Sequence, residues 1–322
     1  MQLIEAVPNL SAGPNTPALQ AVVDALAAAR GACVLHVDGN DDANRTVITL
    51  AGTPENVLKS LRVLFKTAAR EIDMRLHHGA HPRLGAVDVC PLVPVQHITL
   101  EETTKQAHEL AAFVGEELQI PVYLYEENAT SPARKNLAFL RKGEYESLPE
   151  KLKTLPPDLG LQEFTPSVAK TGASVIGARN FLIAFNVSLA TQDVQLAKEI
   201  ATVLREKNGG LPGVKAIGWY MANYRCAQVS FNIVDYHKTS LAGVFEACKQ
   251  EAQKYNTDVT AGELIGLLPR EALQQAGQFY APDLSADGQL QAAAEKMLLH
   301  NIRPFNFKER ILEERLAAAL HM

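Results

Sequence analysis

The sixteen residues from Asp73 to Asp88 hold three of the chain's nine histidines, His77, His78 and His81, together with Arg75, Arg83 and an acid at either end. Gly79, Pro82 and Gly85 break any regular periodicity, and the stretch lies between a helical pattern and an apolar strand. Loops carried on a rigid scaffold are where catalytic side chains concentrate. Imidazole, whose ordinary pKa lies close to neutrality, is the usual proton carrier. A polar surface loop would have the same composition, so the surroundings must decide.

Several chemistries fit poorly. His77 and His81, joined by His36, resemble a metal set, but zinc takes three or four protein ligands in tetrahedral reach. Gly79 and Pro82 also keep the pair off one helical face; the expectation is no metal. Cys33, Cys90, Cys226 and Cys248 form no Cys-x-x-Cys pair. Most of them sit in apolar runs, as reduced buried thiols do. Neither a Gly-x-Ser-x-Gly elbow nor a phosphate loop is present, and no dinucleotide fingerprint follows a first strand. What remains is acid–base chemistry. A single histidine can take a proton from an attacking amine and return it to a leaving one, which suits transfer between two nitrogens. Asp38 and Asp88 are placed to orient or tune such an imidazole. Arg45, Arg83 and Arg179 offer forks for carboxylates, although each also suits a structural ion pair.

The elements that must position these groups read as one unit written twice. Strands at Leu3 to Val7, Cys33 to Val37, Thr46 to Ala51 and Ala86 to Val95 alternate with helices from Thr16 to Arg30 and Glu55 to Ile72. A further helix, Glu101 to Leu118, and a strand, Pro121 to Tyr125, follow. The second half repeats the order. Its strands are Phe181 to Val187, Val214 to Met221, Ala227 to Val234 and Val259 to Leu264, with helices at Asp193 to Lys207 and Leu241 to Tyr255. Both halves give β-α-β-β-α-β, the ferredoxin-like order. The class is therefore α/β (α+β), with two subdomains, 1–180 and 181–322, related by duplication. Asn9-Leu10-Ser11 and Asn186-Val187-Ser188 are echoes in register. Leu148 to Arg179 reads as a connector, irregular at first and then glycine-punctuated, with backbone open to a ligand. The tail from Arg270 reads as two helices, divided at Arg303-Pro304-Phe305 and packed on the second unit.

Bulk properties agree. At 322 residues the chain exceeds a single core of about 250–300. Hydrophobic residues at 47% and charged residues at 21% are those of a soluble globular enzyme. A net charge of −5 and a pI near 6.0 argue against general nucleic-acid binding. The first residues lack a signal-peptide pattern, and no run approaches a membrane span. With no disulfide framework, a reduced cytoplasmic setting is the expectation.

The combination of segments resembles the formiminotransferase family over about residues 2 to 320. The segments are Val7-Pro8-Asn9-Leu10-Ser11, Val37-Asp38, Asn44-Arg45-Thr46-Val47, Ile72-Asp73-Met74, His81-Pro82-Arg83-Leu84-Gly85-Ala86-Val87-Asp88, Gly177-Ala178-Arg179 and Gly218-Trp219-Tyr220. The resemblance implies two ferredoxin-like subdomains with a ligand groove between them, usually in a homodimer. It implies transfer of a formimidoyl group between N-formimidoyl-L-glutamate and tetrahydrofolate in histidine degradation, tetrahydrofolate serving as co-substrate. Its catalytic histidine falls on His81 and its aspartate on Asp38. Substrate contacts are expected from Asn44, Arg45, Arg83 and Asn186. Folate contacts are expected from Gly160, Phe164, Pro166, Ser167, Val168, Ala169, Lys170, Thr171, Gly172 and Arg179. Val168-Ala169-Lys170 looks like an insertion relative to the family pattern, with Lys170 offered to a folate carboxylate. Vertebrate relatives continue into a cyclodeaminase domain, so deaminase activity is expected to be absent here. Formyl transfer from N-formylglutamate, and folate binding without catalysis, are the alternatives.

Overall fold

The computed structural model describes residues 1–320, which divide into two compact units, the first Met1–Asn180 and the second beginning at Phe181. In the first unit, β1 (Leu3–Ala6) and β2 (Asn9–Leu10) are successive pieces of the leading strand. Helix α1 (Pro17–Ala29) follows, then β3 (Cys33–Asn40), β4 (Arg45–Gly52), α2 (Pro54–Glu71) and β5 (Val87–Gln96). Both helices start where the sequence supplies an N-cap threonine and a proline in the first turn: Thr16 accepts from Leu19 N–H, and Thr53 from Asn56 N–H. Along α2, Val57, Leu58, Leu61, Leu64, Phe65 and Ala68 recur at three-to-four spacing and are all buried. They pack in one core with Ile4, Ile48, Leu50 and Leu92 of the sheet.

Beyond β5 the chain adds α3 (Leu100–Ala112), β6 (Val122–Leu124), α4 (Leu137–Arg141), α5 (Leu148–Thr154), α6 (Pro166–Thr171) and β7 (Ser174–Ala178). The helix expected to reach Leu118 leaves α geometry at Ala112 and closes through one wide π turn, Phe113–Glu117. The connector also departs from expectation. Pro149 and Pro166 stand in the first turns of α5 and α6, where a missing N–H costs nothing. The glycine-punctuated stretch after Thr171 is the buried strand β7, paired in parallel with β5 on one side and β6 on the other. Its small residues admit neighbouring protein backbone: a Cβ at Gly172, whose φ is +67°, would lie 2.2 Å from the Leu84 carbonyl oxygen.

The second unit runs β8 (Ile183–Leu189), α7 (Val194–Leu204), β9 (Val214–Met221), β10 (Cys226–Ile233), α8 (Leu241–Gln253) and β11 (Val259–Ile265). Its sheet order, β11-β8-β10-β9, places the strands fourth, first, third, second. In the first unit β5, β1, β4 and β3 pair antiparallel in that same order. The tail holds more helices than the sequence suggested. Helices α9 (Arg270–Tyr280) and α10 (Ala286–Lys296) both precede Arg303, and the short α11 (Phe307–Arg310) and α12 (Leu312–Leu320) follow it. Leu273, Ala276, Leu290 and Ala293 enter the core built on Phe185 and Phe245, so the tail is part of this unit. No helix among the described residues is long and apolar enough to cross a membrane.

Candidate active site

Asp88 is the fixed point of the first unit. It is fully buried on β5, between the apolar neighbours Val87 and Val89. A buried carboxylate must be paired or hydrogen-bonded. Arg45, the first residue of β4, donates from Nη1 to Asp88 Oδ2 at 2.7 Å. Arg141, at the end of α4, holds the same carboxylate through Nη2 to Oδ2 and through Nε to Oδ1 at 3.3 Å. The Leu84 N–H also donates to Oδ1, at 2.9 Å. Burial alone would raise the Asp88 pKa, but the Arg141 and Arg45 guanidiniums overrule it and hold it at about 2. Burial brings Arg45 down to about 10, so it remains a cation at neutral pH. Asn9 on β2 takes the rest of Arg45, its Oδ1 accepting from Nε at 3.0 Å and Nη2 at 2.6 Å.

The histidine loop is fastened across this cluster. Ala80 N–H donates to the Asp42 carbonyl at 2.9 Å, and the Asn44 side chain donates to the His78 carbonyl at 2.7 Å. A Cβ at Gly79 would sit 2.3 Å from the Ala43 carbonyl oxygen, so only glycine lets the loop cross the β3–β4 turn. Met74 N–H reaches the Lys170 carbonyl and Tyr145 N–H the Arg83 carbonyl, at 2.8 and 2.9 Å.

The three histidines are then unlike one another. His78 is exposed. His77 is buried and locked: Nε2 donates to the Asn44 carbonyl at 2.7 Å, and Nδ1 accepts from Arg83 Nε at 3.4 Å. His81 is partly exposed, with Nδ1 2.8 Å from the Pro82 carbonyl oxygen. A carbonyl only accepts, so Nδ1 bears the proton and the lone pair of the neutral ring lies on Nε2. Burial first, then the fields of Arg45 and Arg141, push the His81 pKa well below its ordinary 6.5, with Asp88 opposing. His81 is thus neutral at pH 7 and able to accept a proton. Asp88 is an acid whose field acts on it; Asp38 is buried on β3, with Oδ2 3.6 Å from His36 Nε2.

Other expected contacts are committed within the protein. Arg83 is spent on Glu144 at 2.9 Å and Glu146 at 2.5 Å, which makes it a loop fastener. Lys170 donates to the Arg70 carbonyl at 2.6 Å, capping α2. Val168 is core, Ala169 receives the Tyr145 hydroxyl, and Thr171 is buried, its hydroxyl 3.2 Å from the Ser167 carbonyl. Gly160 and Gly172 have positive φ and lie against the Ile120 and Leu84 carbonyls. Arg179 donates to the Asn180 carbonyl. Phe164, Pro166 and Ser167 remain exposed, with the Phe164 ring 6.4 Å from that of Tyr145. In the second unit Asn186 is buried and donates to Glu263 at 3.0 Å. Sequence reasoning missed Arg141, which lies 53 residues from its partner. The available signal was the charged Asp88 inside an apolar strand, which demands a buried cation from somewhere.

Fold and site together define a two-unit α/β protein with a neutral histidine poised beside a buried ionic cluster. The formiminotransferase domain, N-terminal subdomain, matches residues 3–179, and the formiminotransferase domain matches residues 184–317. Glutamate formimidoyltransferase of Streptococcus pyogenes is 40% identical, the match covering 87% of this chain and 93% of that one. Its counterpart in Thermoplasma acidophilum is 39% identical, over 87% and 92%. Formimidoyltransferase-cyclodeaminase of Rattus norvegicus is 42% identical over 97% of this chain, which spans 59% of that relative's length. The chain belongs to the formiminotransferase family.

Proposed function

We propose that this protein transfers a formimidoyl group between N-formimidoyl-L-glutamate and N5 of tetrahydrofolate, as a step of histidine degradation. The observation that carries the reading is His81, neutral, with Nδ1–H held by the Pro82 carbonyl and beside the Arg45–Asp88–Arg141 cluster. N5 attacks the amidine carbon, and His81 Nε2 accepts the N5 proton. The bond from that carbon to the glutamate nitrogen then breaks as the proton passes to the departing amine. Transfer between two nitrogens of similar character needs one group that both accepts and donates, and a neutral histidine is such a group. Holding both substrates in line supplies much of the remaining acceleration.

Asp38 keeps the companion role that the family resemblance gives it, stabilising the imidazolium. Asn44 and Arg45 shape the loop and cluster around His81. Folate is assigned to the exposed strip Phe164, Pro166 and Ser167, because the inward members of that segment are occupied by the protein's own packing. A homodimer rests on the resemblance alone, and a cytoplasmic place of action on the reading of the four cysteines as reduced thiols.

The test is absorbance-monitored turnover of tetrahydrofolate with N-formimidoyl-L-glutamate and, separately, N-formyl-L-glutamate, with acid converting product to the absorbing methenyl form. Signal with the formimidoyl donor supports the reading. Signal with the formyl donor alone replaces it with formyl transfer. Tight tetrahydrofolate binding with neither signal makes the protein a folate-binding protein.

A further inference from the structure

Two of the three arginines gathered around the histidine loop have no donor edge to give a ligand. Arg45 is closed by Asn9, Asp88 and the Pro82 carbonyl, and Arg83 by Glu144, Glu146 and His77. Arg141 differs. Its Nε–Nη2 edge lies on Asp88, while Nη1 makes no hydrogen bond among the described residues. A guanidinium offers two forks, so the edge formed by Nη1 and Nη2 is left for a second acceptor. The side chain keeps 13% of its surface exposed, and Nη1 is not among the buried polar atoms left without a partner, so it reaches solvent.

Charge points the same way. Asp88 is the only acid paired with either Arg45 or Arg141 among the described residues, leaving one carboxylate against two guanidiniums. A largely buried excess cation calls for an anion. Because Asp88 grips Arg141 along one edge, the opposite edge is oriented before any ligand arrives. A flexible surface arginine would have to be ordered on binding; this one is ordered already.

We infer that Arg141 is the residue that receives a carboxylate of the amino-acid donor, through the Nη1–Nη2 edge of a guanidinium fixed by Asp88. The inference rests on the transfer reading above and names the donor-anchoring group in that site. It assigns specificity to α4 and leaves proton transfer with His81. Binding is by charge-assisted hydrogen bonds, and no covalent step involves Arg141.

Steady-state kinetics of wild type, Arg141→Lys and Arg141→Gln decide it, with three donors: N-formimidoyl-L-glutamate, N-formimidoyl-4-aminobutyrate without the α-carboxylate, and N-formimidoyl-L-2-aminobutyrate without the γ-carboxylate. A charge-assisted pair implies a KM for N-formimidoyl-L-glutamate raised by about 10- to 100-fold in Arg141→Gln, with less change in Arg141→Lys. The KM for tetrahydrofolate stays near the wild-type value. Wild type discriminates against one truncated donor by a similar factor, and that discrimination collapses in the variant, showing which carboxylate is bound. Unchanged donor discrimination, or equal rises in both KM values, overturns the inference. Should Arg141→Gln fail to fold by circular dichroism, Arg141→Lys is judged by the same discrimination ratio. If no donor is turned over, calorimetric titration with N-formimidoyl-L-glutamate separates the two readings. Binding to wild type that weakens in Arg141→Lys keeps the carboxylate site while the transfer reading falls. Equal affinity, or no binding, overturns the site as well.

Discussion

Asp88 and Glu263 stand on the fourth strand of their respective units, and both are buried, at 0% and 2% exposure. Each keeps company with an asparagine of the first strand and a polar residue of the third. Around Asp88 these are Asn9 and Arg45; around Glu263 they are Asn186 and Gln228. The difference lies in the partners' charge. Asp88 is crowded by two guanidiniums, whereas Glu263 receives Asn186 at 3.0 Å, the Tyr224 hydroxyl at 2.9 Å and Gln228 at 3.4 Å, with Arg303 at 3.6 Å. Gln228 in turn accepts from the Trp219 indole and donates to Ser188. One strand order therefore supports two kinds of buried network. The first has a surplus of positive charge beside a histidine able to move a proton. The second is largely built from neutral donors and cross-links a sheet. On the proposed reading, the first network serves the chemistry and the second serves cohesion.

The largest effect expected is on turnover. His81→Ala should lower kcat by about 10²- to 10⁴-fold, the usual contribution of a positioned acid–base group. Tetrahydrofolate affinity, measured by fluorescence titration, should stay near wild type. Turnover equal to wild type would remove His81 from the mechanism and erase the difference between the two units. Next comes the paired neutralisation. Asp88→Asn leaves two buried guanidiniums without a counter-charge, and breaking a buried pair costs about 3–5 kcal/mol. Glu263→Gln keeps the neutral partners, which can reorient, and deprives the more distant and more exposed Arg303 of its carboxylate, so about 1–2 kcal/mol is expected. Urea unfolding followed by circular dichroism compares them, with fluorescence of the single tryptophan, Trp219, reporting on the second unit. Equal losses would show that the charge difference is not what separates the networks.

Much of this architecture was legible in the sequence. Alternating apolar strands and helices with threonine caps are local signals, so both βαββαβ orders could be read without coordinates. The histidine loop was legible too, because Gly79, Pro82 and Gly85 interrupt periodicity between two regular elements. Strand β7 was not. Its small residues read as open backbone, since nothing local reveals that Leu84 and Tyr125 press against Gly172 and Gly177. Arg83 and Lys170 read as cations open to a ligand, because the sequence does not reveal the Glu144, Glu146 and Arg70 carbonyl partners the fold brings to them. Arg141 was invisible for the converse reason: a five-residue helix bears no motif, and its partner lies on a distant strand.

A smaller effect concerns pH. His81 must be neutral to accept a proton, and burial with the Arg45 and Arg141 fields keeps its pKa below 6.5. The acid limb of kcat/KM, which reports the free enzyme, should lie below pH 6.5. Arg141→Gln removes one of the two cationic fields and should move that limb upward, toward 6.5. The same depression makes His81 a stability term that is fully present above its unfolded pKa of about 6.5 and lost as pH falls through the folded value. An acid limb above 6.5, or one that Arg141→Gln moves downward, would mean that the cluster does not set the histidine's charge state.

The smallest effect tests whether the second network is cohesive only. Asn186 gives its amide to Glu263, and its replacement by alanine leaves the Tyr224 and Gln228 donors in place. Asn186→Ala should cost about 1–2 kcal/mol of unfolding free energy, the range for one buried hydrogen bond. Both KM values should change by no more than about twofold, because no interaction specific to bound substrate is lost. A donor KM raised about tenfold at unchanged stability would mean that the amide binds ligand and that Glu263 is only its resting partner. The second network would then recognise a ligand too, and the contrast between a charged network and a neutral one would lie in the chemistry of the ligand group each recognises.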